Sequence, residues 1–198
     1  MTKHGRIQTP GYWRITGWGF LVLLLLIPLV AMQFTDEIGW TGSDFVLMGI
    51  LFLALGLGFE LAVRLSPSLA YRAAFGLAVL GAILLTWINL ALGIIGSEDN
   101  PANLMYGSVL ATGLIGAMLV RGRPRGLAAT LLAMAGVQAA IAAIAILAGL
   151  GRPLSGTLEL AALNGLFIGL FLTAAGLFRR TAQNEPKRDA TPASQNRS

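Results

Sequence analysis

Six long stretches without a charged side chain dominate the chain, and its charge falls in the short segments between them and at the two ends. The neutral stretches cover residues 15–35, 45–59, 73–97, 100–120, 126–151 and 160–178. A helix rising about 1.5 Å per residue needs about 20 apolar residues to cross the hydrocarbon core of a bilayer. All but the second stretch meet that need outright, and the second does so by taking in Glu60. The pattern predicts an all-α membrane protein with six transmembrane helices, at about 14–34, 44–64, 71–95, 100–121, 126–150 and 158–179. Local signals agree with these limits. Ser66-Pro67 breaks the second span, Asn100-Pro101 offers an N-cap followed by a first-turn proline, and Gly122-Arg123-Pro124 makes a turn. Pro28 removes one backbone bond inside the first span, where a kink is expected.

Composition sharpens this reading. Of 198 residues 56% are hydrophobic and only 12% are charged, too few to cover the surface of a water-soluble enzyme of this size. Cysteine is absent, which excludes disulfides, thiolate metal sites and cysteine nucleophiles. The pI near 10.4 would suggest nucleic acid in a soluble protein, but the placement of the basic residues explains it without such a partner.

With the N-terminus in the cytoplasm, the inner segments are 1–14, 64–72, 121–125 and 179–198. Every Lys and Arg except Arg152 then lies inside. This satisfies the positive-inside rule with both termini cytoplasmic, and it supports the weak second span. The outer loops, 35–44, 96–103 and 151–159, carry Asp36, Glu37, Asp44, Glu98, Asp99 and Glu159. The first apolar run is too long for a signal peptide, and no small-x-small cleavage site follows it, so it reads as a retained span. Tyr12, Trp13, Trp18 and Trp40 suit interfacial anchors. The domain reading is a basic cytoplasmic tail at 1–13, a six-span domain at 14–179 and a disordered cytoplasmic tail at 180–198.

Arg64, Arg121 and Arg179 end the even-numbered spans at nearly equal spacings, as three similar helical hairpins would require. Regular loops in any six-span chain produce similar spacing. Ala161, Gly165, Gly169 and Thr173 form a small-residue stripe on the sixth span, with related stripes at Ala135, Ala139 and Ala143, at Gly113 and Ala117, and at Ala74, Ala78 and Ala82. Such stripes let helix backbones approach closely, so bundle packing is expected of them and homo-oligomer contact is the alternative for the sixth span.

Candidate chemistry is sparse. Glu60 is the only acid inside a span and sits four residues before Arg64, which favours an interfacial ion pair over a proton relay. Gln138, Thr86, Thr112, Asn89 and Asn164 are polar positions within spans, expected to make interhelical hydrogen bonds; the sharper alternative is a shared polar pathway. Glu98, Asp99, Asn100 and Asn103 could in principle ligate a hard cation, but a capped turn with a solvated acidic face fits the spacing better. Arg121, Arg123 and Arg125 suit anionic lipid headgroups as well as topology. His4 lies in the basic tail. No pattern calls for a catalytic residue, a cofactor or a bound metal.

The run 93–106, Gly-Ile-Ile-Gly-Ser-Glu-Asp-Asn-Pro-Ala-Asn-Leu-Met-Tyr, with 35–37 and 40–45 before it, resembles a family of small bacterial multi-pass membrane proteins without an assigned activity. The resemblance covers nearly all of the chain except its tails. It implies the bacterial inner membrane and brings no functional residue with it. Taken together, these features point to a non-enzymatic accessory or interaction protein that contacts lipid, copies of itself or another membrane protein. The alternative is a permease or channel subunit for a small solute or ion.

Overall fold

The computed structural model describes residues 12–35, 39–66 and 68–189, with side chains over 15–35, 39–66 and 68–183. The expectations placed on His4, on Asp36 and Glu37, on the Tyr12 and Trp13 side chains and on residues 190–198 lie outside these. Among the described residues six α-helices follow one another and there is no strand. They are α1 (Tyr12–Ala31), α2 (Gly42–Leu65), α3 (Leu69–Ala91), α4 (Tyr106–Val120), α5 (Pro124–Leu147) and α6 (Thr157–Asp189), with a 3-10 turn, Pro101–Met105, leading into α4. The chain divides into an N-terminal unit, Met1–Leu57, and a C-terminal unit, Gly58–Ser198.

In the N-terminal unit, the start of α2 is closed by Asp44 reaching back to Thr41. The Asp44 carboxylate accepts hydrogen bonds from the Thr41 amide and hydroxyl, both at 2.7 Å. Trp40 and Phe45 meet edge to face with centroids 5.2 Å apart, closing the turn on its apolar side. α1 continues through Pro28 to Ala31. None of its described side chains is buried; Ile15, Phe20, Leu23 and Ile27 are among those most exposed. Trp18 alone lies tightly against glycine: a Cβ at Gly56 would sit 2.5 Å from its indole ring.

The C-terminal unit is a packed bundle. α5 and α6 share the largest interface, α3 packs on α6, and α4 packs on α5, while α3 and α4 touch little. The packing therefore does not repeat as equal hairpins, and α6 runs beyond Arg179 to Asp189, past the expected boundary. The core gathers Leu85, Tyr106, Val109, Leu131, Met134, Ile141, Phe167, Phe171 and Phe178. α4 approaches α5 closely at Gly113, where a Cβ would lie 2.8 Å from the Met134 sulfur, and at Gly116, which faces Thr130. Here a small residue does what was expected of it.

On α6 the small residues do the opposite. Ala161, Gly165, Gly169 and Thr173 all face outward, and nothing lies within 4 Å of a Cβ placed on either glycine. The inward face carries Leu160, Asn164, Phe167, Phe171, Ala174 and Phe178 instead. The expectation that this stripe packs the bundle is corrected: large aromatic side chains fill the α3–α6 space, and the stripe is left on the surface.

At one end of the bundle, Tyr71 joins three elements. Its hydroxyl donates to the Gly122 carbonyl at 2.8 Å, and its ring meets Phe178 edge to face at 5.1 Å. The Arg72 guanidinium donates to the Ser66 carbonyl at 3.0 Å and the Val63 carbonyl at 3.5 Å, completing the acceptors left open at the end of α2.

Candidate functional site

The buried amide side chains of the bundle collect in two places, while Thr130 and Thr181 bond to carbonyls of their own helices. The first joins the middle of α5 to the early turns of α6. Gln138 and Asn164 are 0% and 1% exposed. Asn164 donates its Nδ2 to the Leu160 carbonyl at 2.8 Å, which turns its Oδ1 toward Tyr106 and Gln138. The Tyr106 hydroxyl donates to that oxygen at 3.1 Å, and Gln138 Nε2 donates to it at 2.9 Å. The Gln138 amide is thereby oriented by its neighbour, and its Oε1 is left buried without a donor among the described residues.

The second network closes the other end of the bundle. Gly93 follows α3 with φ +71°, and a Cβ there would collide with the Ser97 backbone, so the chain reverses where only glycine fits. The buried amides of Ile94 and Ile95 then donate to Asn103 Oδ1 at 3.1 and 2.9 Å. Asn103 Nδ2 donates to the Ser97 carbonyl at 2.7 Å, and Asn89 Nδ2 donates to the Asn103 carbonyl at 3.2 Å. Asn100 caps the 3-10 turn, accepting from Ala102 N at 3.0 Å, and donates to the Leu150 carbonyl at 3.0 Å. The Gly96 amide donates to Ser155 Oγ at 3.0 Å. One asparagine thus organises the α3–α4 loop, and two bonds fasten that loop to the α5–α6 loop. Asn89 Oδ1, like Gln138 Oε1, is buried without a described donor.

This geometry decides several candidates. The side-chain oxygens of Asn100 and Asn103 already accept backbone N–H groups, while Glu98 and Asp99 point outward, so these four do not converge as ligands. Among the described residues no cluster of three or more His, Asp or Glu could hold a metal. Thr86 and Thr112 donate back to carbonyls of their own helices, Ala82 and Ser108, at 2.8 and 2.7 Å. Gln138 and Asn164 meet each other, and Asn89 meets Asn103; the polar positions do not point at one common centre. Glu60 lies 3.6 Å from Arg64, with the carboxylate side chain 15% exposed and the guanidinium side chain 74% exposed, as an ion pair reaching out of an apolar helix requires.

The basic turn between α4 and α5 has its own feature. Arg121 adopts a left-handed conformation, φ 49°, at the end of α4, and Gly122 follows at φ 77°. Arg121, Arg123 and Arg125 are all exposed. Arg125 alone of the three lines a cleft of about 390 Å³, together with Ala128, Ala129, Leu132, Arg179, Ala182 and Gln183.

Tyr106, Ser155 and Tyr71 make hydrogen bonds between elements that pattern reading passed over. Tyr106 and Tyr71 carried a legible signal, since a phenol in an apolar helix must find a hydrogen-bond partner. Ser155 carried none, because its partner lies in a loop distant in sequence.

Among the described residues five helical stretches are long and apolar enough to cross a bilayer, Gly42–Leu65, Leu69–Ala91, Pro101–Val120, Pro124–Leu147 and Thr157–Gln183, and α1 adds the shorter apolar run Ile15–Ala31. That length and composition define the class: a multi-pass helical membrane protein. No protein family, curated protein or solved structure matches the chain.

Proposed function

We propose that this chain is a six-span protein of the bacterial inner membrane, with both termini cytoplasmic, that serves as a non-enzymatic accessory or assembly component. The orientation rests on the basic residues, which fall on one side of six spans apart from Arg152. The observation that carries the role is the destination of the intramembrane amides. Gln138, Asn164, Asn89 and Asn103 bond to one another and to backbone, as groups that hold a bundle together do. The outward stripe of Ala161, Gly165, Gly169 and Thr173 adds a surface on which a helix of another chain can pack closely.

The chain has no cysteine, so single-cysteine variants test this directly. Gly165→Cys and Gly169→Cys, crosslinked in native membranes, are expected to yield a defined higher-mass species, either a dimer or an adduct with one partner. Leu147→Cys, on a highly exposed lipid-facing position, is expected to yield none. No adduct at either glycine, together with a strict monomer and no co-purifying protein in mild detergent, would refute the accessory role.

A second reading, a permease or channel subunit for a small solute or ion, is favoured by one observation. The two buried amide oxygens, Gln138 Oε1 and Asn89 Oδ1, have no described donor and could accept a hydrogen bond from a passing solute. Reconstituted vesicles showing no flux across a broad panel of small solutes and ions would eliminate it.

A further inference from the structure

We infer that the cleft between the first turn of α5 and the end of the apolar part of α6 seats the phosphate headgroup of an anionic bilayer phospholipid. Its two cations come from different helices, Arg125 from α5 and Arg179 from α6, and both line the same space of about 390 Å³. Both are exposed, and no described carboxylate pairs with either. A guanidinium presents its donors as a rigid fork that matches phosphate oxygens, so two of them on facing walls define a site for one phosphate.

The rest of the cleft fits the remainder of a lipid. Ala128, Ala129, Leu132 and Ala182 make its floor. Small apolar side chains leave room there, and a freely soluble phosphate has no use for such a floor. Arg123 caps α5 without a side-chain hydrogen bond, so the first amides of the helix contribute positive potential on the same side. The cleft also lies where the candidate spans Pro124–Leu147 and Thr157–Gln183 respectively begin and end, which is the level of the headgroups. Basic pockets between helices at the cytoplasmic face are a recurrent solution for anionic lipid. The seat thus draws on Arg125 alone of the basic turn and on Arg179 from the other helix; Arg121 and Arg123 do not line it. The inference rests on the membrane reading and is independent of the accessory role.

The test uses the full chain, purified in detergent and titrated with phosphatidylglycerol or phosphatidylcholine of matched chain length under native mass spectrometry. Wild type is expected to retain phosphatidylglycerol preferentially. Arg125→Gln with Arg179→Gln is expected to weaken that binding about thirtyfold, on the basis of about 1 kcal/mol per cation. Arg121→Gln with Arg123→Gln removes the same charge and is expected to leave binding largely unchanged. Ala129→Trp fills the cleft from an exposed position while keeping both guanidiniums, and is expected to abolish the preference. Equal retention of both lipids by wild type would overturn the seat, as would a control pair as damaging as the first. Displacement of phosphatidylglycerol by equimolar glycerol phosphate would instead assign the cleft to a soluble phosphate and overturn the lipid assignment. Carbonate extraction of membranes separates the two levels. Release of the protein into the supernatant would refute the membrane reading itself, whereas retention without lipid preference would refute the seat alone.

Discussion

α1 and α6 are both long apolar helices, yet they use their side chains in opposite ways. Phe20 on α1 is 59% exposed and Phe167 on α6 is 0% exposed. No described side chain of α1 is buried, whereas α6 buries three phenylalanines and an asparagine on one face. In water the first arrangement would be untenable. In hydrocarbon it costs little, because lipid tails are as apolar as leucine and a helix gains nothing by hiding leucine from them. What draws a membrane helix into a core is close contact and polar groups that must find partners, and α6 has both.

The largest effect should come from asking the same amide chemistry of both units. Asn103→Ala strands the buried amides of Ile94 and Ile95, each costing about 1–3 kcal/mol when left unsatisfied, while the Ser97 carbonyl keeps the Asn100 amide as a donor. A loss of about 3 kcal/mol or more is expected in reversible unfolding from mixed micelles. Asn103→Asp keeps the acceptor and loses the donor, and should fall between wild type and the alanine variant. Gln33→Ala, in the N-terminal unit, removes only a 3.4 Å bond to the Leu29 carbonyl from an exposed side chain and should change stability by less than about 0.5 kcal/mol. Equal losses at Asn103 and Gln33 would erase the distinction between the units.

Next comes the pair of phenylalanines. In a soluble core Phe→Ala costs about 3–5 kcal/mol. Here separated helices leave the ring in lipid instead of water, so part of that penalty vanishes and about 2–3 kcal/mol remains from lost packing. Phe167→Ala is expected to lose that much, and Phe20→Ala close to nothing, in the same unfolding assay. A destabilising Phe20→Ala would mean that α1 is packed more firmly than its exposure implies.

The difference between the units also marks how far the chain could be read in advance. Helix positions were legible, because charge is what a bilayer excludes; Ser66, Asn100-Pro101 and Gly122-Arg123 lie between α-helices as their chemistry requires, and Pro124 opens α5. Helix faces were not legible. On α6 both the outward Gly165 and Gly169 and the inward Phe167 and Phe171 are apolar, so polarity carries no information about which side meets protein. The amides were visible as polar positions, but the pairing of Gln138 with Asn164 depends on helix rotation that periodicity alone does not define. The spacing favours a capped turn over a cation site at Asn103, but which amides its oxygen would accept, those of Ile94 and Ile95, depends on the loop's reversal at Gly93.

A smaller effect of opposite sign is expected at the turn after α4. Arg121 holds a left-handed conformation that glycine adopts without strain and other residues adopt at a cost of order 1 kcal/mol. Its side chain is exposed, so Arg121→Gly should raise stability by about 0.5–1 kcal/mol while leaving the bundle intact. A loss instead would show that the guanidinium contributes an interaction worth more than the strain it imposes.

The least effect, and the most informative, belongs to Gln138. Gln138→Leu removes the 2.9 Å bond to Asn164, worth about 1 kcal/mol, and also removes a buried acceptor without a described donor, whose presence costs about 1–3 kcal/mol. Tyr106 continues to donate to Asn164 Oδ1, so that oxygen is not orphaned. The two terms nearly cancel or favour leucine, and the variant should melt at the wild-type temperature or slightly above it. An amide whose replacement does not weaken the bundle is not needed to hold it, and its persistence at the middle of α5 would then favour the solute-path reading, to be checked by flux in vesicles. A drop of 2 kcal/mol or more, on the scale of a full buried-group penalty, would make Gln138 a tie between α5 and α6. That result would leave the solute path resting on Asn89 alone.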